Sequence, residues 1–131
     1  MGQQQLLLIV LGAIIVGIAI IVGLNMFSSG AAQANIDGVT QDCLTIASRA
    51  QEWWRKPTAM GGGGRAWTGI TLLAINFPDT TLNGTYADPT ISGNNIVILG
   101  TGVEDGNGDG DAITVTTTAD SVSIVSTVVA D

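Results

Sequence analysis

Histidine is absent from the 131 residues, and with it go the usual general base, the Cys–His nucleophilic pair and the commonest transition-metal ligand. The single cysteine, Cys43, excludes an intramolecular disulfide. Only six aromatic residues are present, so the apolar mass, 46% of the chain, is aliphatic. Charge is missing over a long stretch: residues 1–36 carry no ionisable side chain, and the first is Asp37. The net charge of −7 therefore falls wholly beyond residue 36, which argues against nucleic acid or anionic lipid as a partner of the C-terminal part. The carboxylates sit in loops and on a polar helix face without a base, nucleophile or metal cluster beside them, so the expectation is that the chain is not an enzyme.

Occupying the uncharged stretch is an apolar run from Leu6 to residue 24, LLLIVLGAIIVGIAIIVGL. As a helix it would reach about 28 Å at ~1.5 Å per residue, close to the ~30 Å hydrocarbon thickness of a bilayer. A cleaved secretory signal would have a shorter apolar region, a basic region before it and a small-residue cleavage site after it, whereas MGQQQ carries no Lys or Arg. The basic residues, Arg49, Arg55, Lys56 and Arg65, lie on the C-terminal side, the wrong flank to orient an outward-facing C-terminal domain. The expectation is that a basic leader before Met1 is removed. Small residues at Gly12, Ala13, Gly17, Ala19 and Gly23 give two small-xxx-small spacings, the pattern that lets helix backbones approach closely. The same run also reads as a plain single-pass anchor with incidental glycines.

Beyond Ser28-Ser29-Gly30, Ile36, Val39, Cys43, Ile46, Ala50 and Trp53 recur at alternating spacings of three and four, the mark of an amphipathic helix with one apolar stripe. Asp37 and Asp42 come early and Arg49, Arg55 and Lys56 late, the order that the helix dipole favours. Pro57 disfavours helical geometry at Lys56 and sets the end. Cys43 lies on the stripe and reads as a small buried hydrophobe. Trp53-Trp54 reads as the anchor of the helix on the C-terminal domain.

A mature chain of five mostly polar residues running straight into a long apolar helix resembles the type IV pilin and pilin-like family over about its first 55 residues. The resemblance implies a leader clipped by a prepilin peptidase, a free or N-methylated amine at Met1, and insertion in the inner membrane before the pilus assembly machinery draws the subunit into a filament. It also implies that Met1, Gln5, Leu6, Gly12, Ala13, Gly17, Ala19 and Gly23 belong to the assembly helix. Gln5 stands where most bacterial pilins have a glutamate that pairs with the terminal amine of a neighbour; glutamine can hydrogen-bond to that amine but cannot neutralise it.

Residues 58–65, TAMGGGGR, lack both the Lys-Ser/Thr of a P-loop and a preceding strand, and read as a linker. Strand signals come after it at residues 66–76, 81–86, 95–99, 112–118 and 121–129, separated by Asn83-Gly84, Asp88-Pro89, Ser92-Gly93 and Ala119-Asp120. The fold class expected is α+β: a long N-terminal hydrophobic helix, with a break anticipated near Gly23–Gly30, packed by its second half on a small antiparallel sheet. The corresponding segments are an assembly or membrane helix over 1–27, its amphipathic continuation over 28–57, the linker over 58–65 and a β-domain over 66–131. Asp105, Asn107, Asp109 and Asp111 alternate in a glycine-permitted turn as calcium ligands do, although the closing glutamate of an EF-hand is missing and a solvated hairpin fits as well. Asn83-Gly84-Thr85 matches a glycosylation sequon, and Asn-Gly is also the commonest hairpin turn pair.

The function expected is that of a major pilin, the structural subunit of an extracellular, pilus-like helical homopolymer, membrane-inserted as a precursor. The alternatives are a minor pilin or pseudopilin of a secretion system, and a membrane-anchored domain binding calcium or another ligand. No cofactor is expected apart from calcium at the acidic loop.

Overall fold

The computed structural model describes residues 2–130. The expected amine chemistry of Met1 lies outside the described residues. One helix, α1 (Gly2–Arg55), is succeeded by a single 3₁₀ turn at Thr58–Met60 and five strands: β1 (Gly84–Tyr86), β2 (Thr90–Ser92), β3 (Asn95–Gly102), β4 (Thr114–Ala119) and β5 (Ile124–Ala130). The chain divides into two compact units after Ala31, so the second half of α1 belongs with the sheet.

The break anticipated near Gly23–Gly30 does not occur; α1 is helical through both glycines and through Gly38. A glycine weakens a helix by roughly 1 kcal/mol but, unlike proline, leaves the hydrogen-bond ladder intact. The ladder ends where expected. Lys56 N–H still reaches Glu52 O at 3.1 Å, and Pro57 adopts an extended ψ of 149°. The glycine run then folds back as a cap rather than leading away as a linker. Gly63 N–H donates to Trp53 O at 2.9 Å and Arg65 N–H to Trp54 O at 2.8 Å, satisfying carbonyls that a helix end leaves orphaned. A side chain at Gly63 would collide with Ala66 O and the Trp53 indole, so the close approach needs glycine.

All strand pairs are antiparallel. β3 is central, with β4 along one edge and β1 and β2 end to end along the other, and β5 extends the sheet beyond β4. Burial alternates strictly along both β3 and β4, which places Ile96, Ile98, Val115, Thr117 and Ala119 on the covered face. Val39, Cys43, Ile46, Ala47, Ala50 and Trp53 of α1 join the apolar members of that face in one core cluster. Each large aliphatic side chain buried there contributes about 1.5–3 kcal/mol. Opposite Tyr86 stands Gly100, whose missing side chain leaves room for Val39, Cys43 and the tyrosine ring.

One strand expectation is corrected, and one strand is added. Residues 66–76 form turns rather than a strand, because Trp67, Ile70, Leu72 and Ile75 bury at spacings of three, two and three, which suits neither strand alternation nor a helix. The Ser92-Gly93 signal is part of a β2–β3 hairpin in which Ser92 pairs with Asn95 and Gly93 takes φ +61°. β2, three residues long, is hidden in the sequence between two turn signals.

Candidate functional site

Two surfaces stand out, one in each unit. In the N-terminal unit the large aliphatic side chains between Leu6 and Leu24 are 50–69% exposed. The apolar 18-residue window has a mean hydropathy of 3.2, and the helix is long and apolar enough to cross a membrane. Gly12, Gly17 and Gly23 face open space within this unit, since a Cβ at any of them would meet nothing within 4 Å. Such a surface is far larger than a soluble protein leaves uncovered, so lipid or other protein must cover it. Gln5, Ala13 and Ala19 are exposed in the same way, with no polar partner built around Gln5 among the described residues.

In the second unit, α1 is held to the sheet by a polar clamp beside the apolar stripe. Asp42 accepts from the Tyr86 hydroxyl at 2.6 Å, from Thr81 Oγ1 at 2.9 Å and from Asn83 Nδ2 at 3.0 Å, all on Oδ2. Partial burial pushes the Asp42 carboxyl up, but the three hydrogen bonds outweigh it and hold the group below the ordinary carboxylate range. Burial, and donation to that carboxylate, push the Tyr86 phenol up. Two turns earlier on α1, buried Asn35 donates to Asn83 O at 2.7 Å and accepts from Val103 N–H at 3.0 Å and Glu104 N–H at 3.2 Å. This clamp orients the helix on the sheet.

The residues expected on the packing stripe come together with two shifts. Val39, Cys43, Ile46, Ala50 and Trp53 are buried, whereas Ile36 is only half-buried and Asn35 and Ala32 take the positions facing the sheet and its loops. Burial raises the Cys43 thiol to about 11, so it is inert at neutral pH. Asn83 is not a free acceptor for a glycan: its carboxamide is bonded to Asp42 and packed on Gly38. In the acidic loop the side-chain oxygens turn inward on their own backbone. Asp105 accepts from Gly108 N–H at 2.6 Å and Gly110 N–H at 2.7 Å, Asn107 from Asp109 N–H at 2.8 Å, and Asp109 from Asp111 N–H at 2.9 Å. Among the described residues no three His, Cys, Asp or Glu side chains converge as a metal site.

Hydropathy could not have found Asn35 or Asp42, because it scores both as solvent-facing. The one sequence signal is positional: they lie seven residues apart, two helical turns, along the flank of the apolar stripe. Comparison of the chain with protein-family models, curated proteins and solved structures finds no match.

Proposed function

We propose that the chain is the repeating structural subunit of an extracellular pilus-like filament, its N-terminal helices bundled in the centre and its β-domains outside. The observation that carries this reading is the uncharged, glycine-notched surface of residues 6–24, open on every side of the helix. In lipid that surface stores the subunit in a membrane; in a polymer the notches admit neighbouring backbones. Apolar side chains between them exclude water. The sheet unit, held rigidly by the Asp42 and Asn35 clamp, would keep its own fold while the helix changes surroundings.

The deciding experiment is electron microscopy of cell-surface material from cells producing the chain from its own full-length gene, beside a Gly17→Leu variant. Leucine adds apolar surface and so preserves membrane insertion, but it blocks close backbone approach. Filaments from the parent and none from the variant, with equal membrane-inserted precursor, are the expected result. Monomers confined to the membrane in both cases would leave only a membrane-anchored domain, and equal filament yield in both would remove the packing argument.

A further inference from the structure

A cleft of about 670 Å³ opens where the C-terminal end of α1, the capping loop and two β-turns meet. Its volume falls in the range of about 300–1,000 Å³ usual for small-molecule sites. Trp54 and Trp67 form one wall, their ring centroids 6.1 Å apart and tilted by 39°. The Trp67 indole is fixed by donation to Asn94 O at 2.9 Å, while Trp54 is half-buried where it lines the cleft.

Polar residues line the cleft as well. Asn94 and Asn95 are among them, and among the described residues neither carboxamide has a hydrogen-bond partner. Arg65 also lines the cleft, and its guanidinium is likewise without a partner among the described residues. A second cation stands at the rim, where Arg55 donates to the carbonyl of Ser121 at 3.3 Å. The carboxylate at the site, Asp120, is occupied by its own turn, accepting from Val122 N–H at 2.7 Å and Ser123 N–H at 2.6 Å. Those bonds keep Asp120 ionised, so in a chain of net charge −7 the two guanidiniums of Arg65 and Arg55 stand against one carboxylate and leave the cleft locally positive.

The backbone at Arg65 adds an independent sign. Arg65 has φ +67°, in the left-handed region that favours glycine, directly after four consecutive glycines of which Gly61 and Gly64 take φ +79° and +59°. A bulky side chain held there costs backbone energy that one more glycine would have avoided. The conformation is fixed by the capping bond from Arg65 N–H to Trp54 O, which ties Arg65 to the same cleft that Trp54 lines.

We infer that this cleft binds a short acidic saccharide, a chain of uronate rings. A pyranose presents C–H groups that pack on the negative face of an indole, hydroxyls that pair with carboxamides, and a carboxylate that a guanidinium can hold through two hydrogen bonds. A neutral sugar would leave Arg65 without its partner, and an acidic peptide would leave the Trp54 face without a ring.

The test uses the full chain in a detergent that has no sugar head group. Tryptophan fluorescence and saturation-transfer NMR are recorded against trigalacturonate, its methyl ester, and triglutamate. Saturable binding of trigalacturonate, weaker by about tenfold or more for the ester and for triglutamate, is expected. Arg65→Gly removes the guanidinium at a position where glycine is unstrained; the melting temperature should hold or rise while affinity for trigalacturonate falls by about tenfold or more. Arg65→Lys should restore part of that affinity, and Asn94→Ala should weaken binding of the acid and the ester alike. No saturable signal, unchanged affinity in Arg65→Gly, or equal affinity for triglutamate would each overturn the assignment.

Discussion

The Tyr86 hydroxyl on β1 lies 2.6 Å from Oδ2 of Asp42 on α1 and donates its proton to it. This bond joins residues 44 apart in the chain, beside the point where Tyr86 crosses Gly100 and the ring meets Phe77 edge-on at 5.6 Å. Stability of the sheet unit should therefore depend on the ionised form of Asp42. A carboxyl whose folded pKa lies below its unfolded one contributes stability that is complete above the ordinary carboxylate range and is lost as pH falls through the folded value. Chemical denaturation from neutral pH down through about pH 3 should show a loss of stability that is shallower in Asp42→Asn. At neutral pH Asp42→Asn should cost about 1–3 kcal/mol and Tyr86→Phe about 1 kcal/mol, with less than additive effects in the double variant. Equal pH profiles for parent and Asp42→Asn would show that the clamp is screened to insignificance.

Close backbone approach gives a second prediction, independent of charge. A Cβ at Gly100 would lie 2.8 Å from Val39 Cγ1 and 2.9 Å from both Cys43 Sγ and Tyr86 Cε1. These neighbours are themselves packed in the core, so Gly100→Ala should destabilise by about 1–3 kcal/mol, as overpacking does. Gly38→Ala meets a softer obstacle, the Asn83 carboxamide at 2.6 Å, and it also gains helix propensity. Its cost should be the smaller of the two, with the loss concentrated in the Asn83–Asp42 bond. Thermal denaturation ranks the pair, and a reversed order would mean that the sheet shifts more readily than the helix clamp.

The two halves of the chain differ in how readily the sequence yields them. α1 is legible because a nineteen-residue uncharged run and a stripe from Val39 to Trp53 leave little other than helix to explain them, and Pro57 marks the end. β3 and β4 are legible through alternation that matches burial, as at Ile96, Ile98, Val115 and Thr117. Residues 66–76 are not, since a loop that buries Trp67, Ile70, Leu72 and Ile75 has strand-like composition without strand register. The clamp is not either: Asn35 and Asp42 score as surface residues, and only the fold brings Val103, Thr81 and Tyr86 to them. Ile36 has the apolar character that marks a stripe, yet the polar Asn35 is the better-placed side chain, because it faces backbone groups that need a partner.

The acidic loop gives a third prediction. Backbone hydrogen bonds from Gly110 and Gly108 hold the exposed Asp105 carboxyl below the ordinary range. The loop is thus ordered by its own aspartate, and its order should be retained above the ordinary carboxylate range and lost as pH falls through the lower folded value. Asp105→Ala should speed amide exchange at Gly108 and Gly110 without unfolding the sheet. Titration with calcium at millimolar level, read by the melting temperature, separates this from an ion-ordered loop: a rise in the parent that Asp105→Ala abolishes would restore the calcium reading.

The last prediction concerns the force that holds copies of the chain together if they polymerise, and it comes from where the charges are not. Residues 2–36 offer no ionisable side chain, and Gln5 stands where a carboxylate could have neutralised an amine. Cohesion must then come from apolar contact: at ~25 cal/mol per Å², a few hundred Å² per helix contributes several kcal/mol once water is the alternative. Ion pairs between exposed β-domains would add typically under about 1 kcal/mol each and would weaken in salt. Filaments should accordingly survive molar salt and moderate pH change, yet dissociate in detergent, which offers the helices another apolar surrounding. Gln5→Glu should assemble as well as the parent or better, because a carboxylate can neutralise a terminal amine that glutamine can only hydrogen-bond. Gln5→Lys should impair assembly, since it adds a like charge that an apolar bundle cannot solvate. Filament yield by sedimentation and microscopy measures both variants. Dissociation of parent filaments in molar salt, or normal assembly of Gln5→Lys, would mean that the helices are not the cohesive element and that the β-domains hold the polymer.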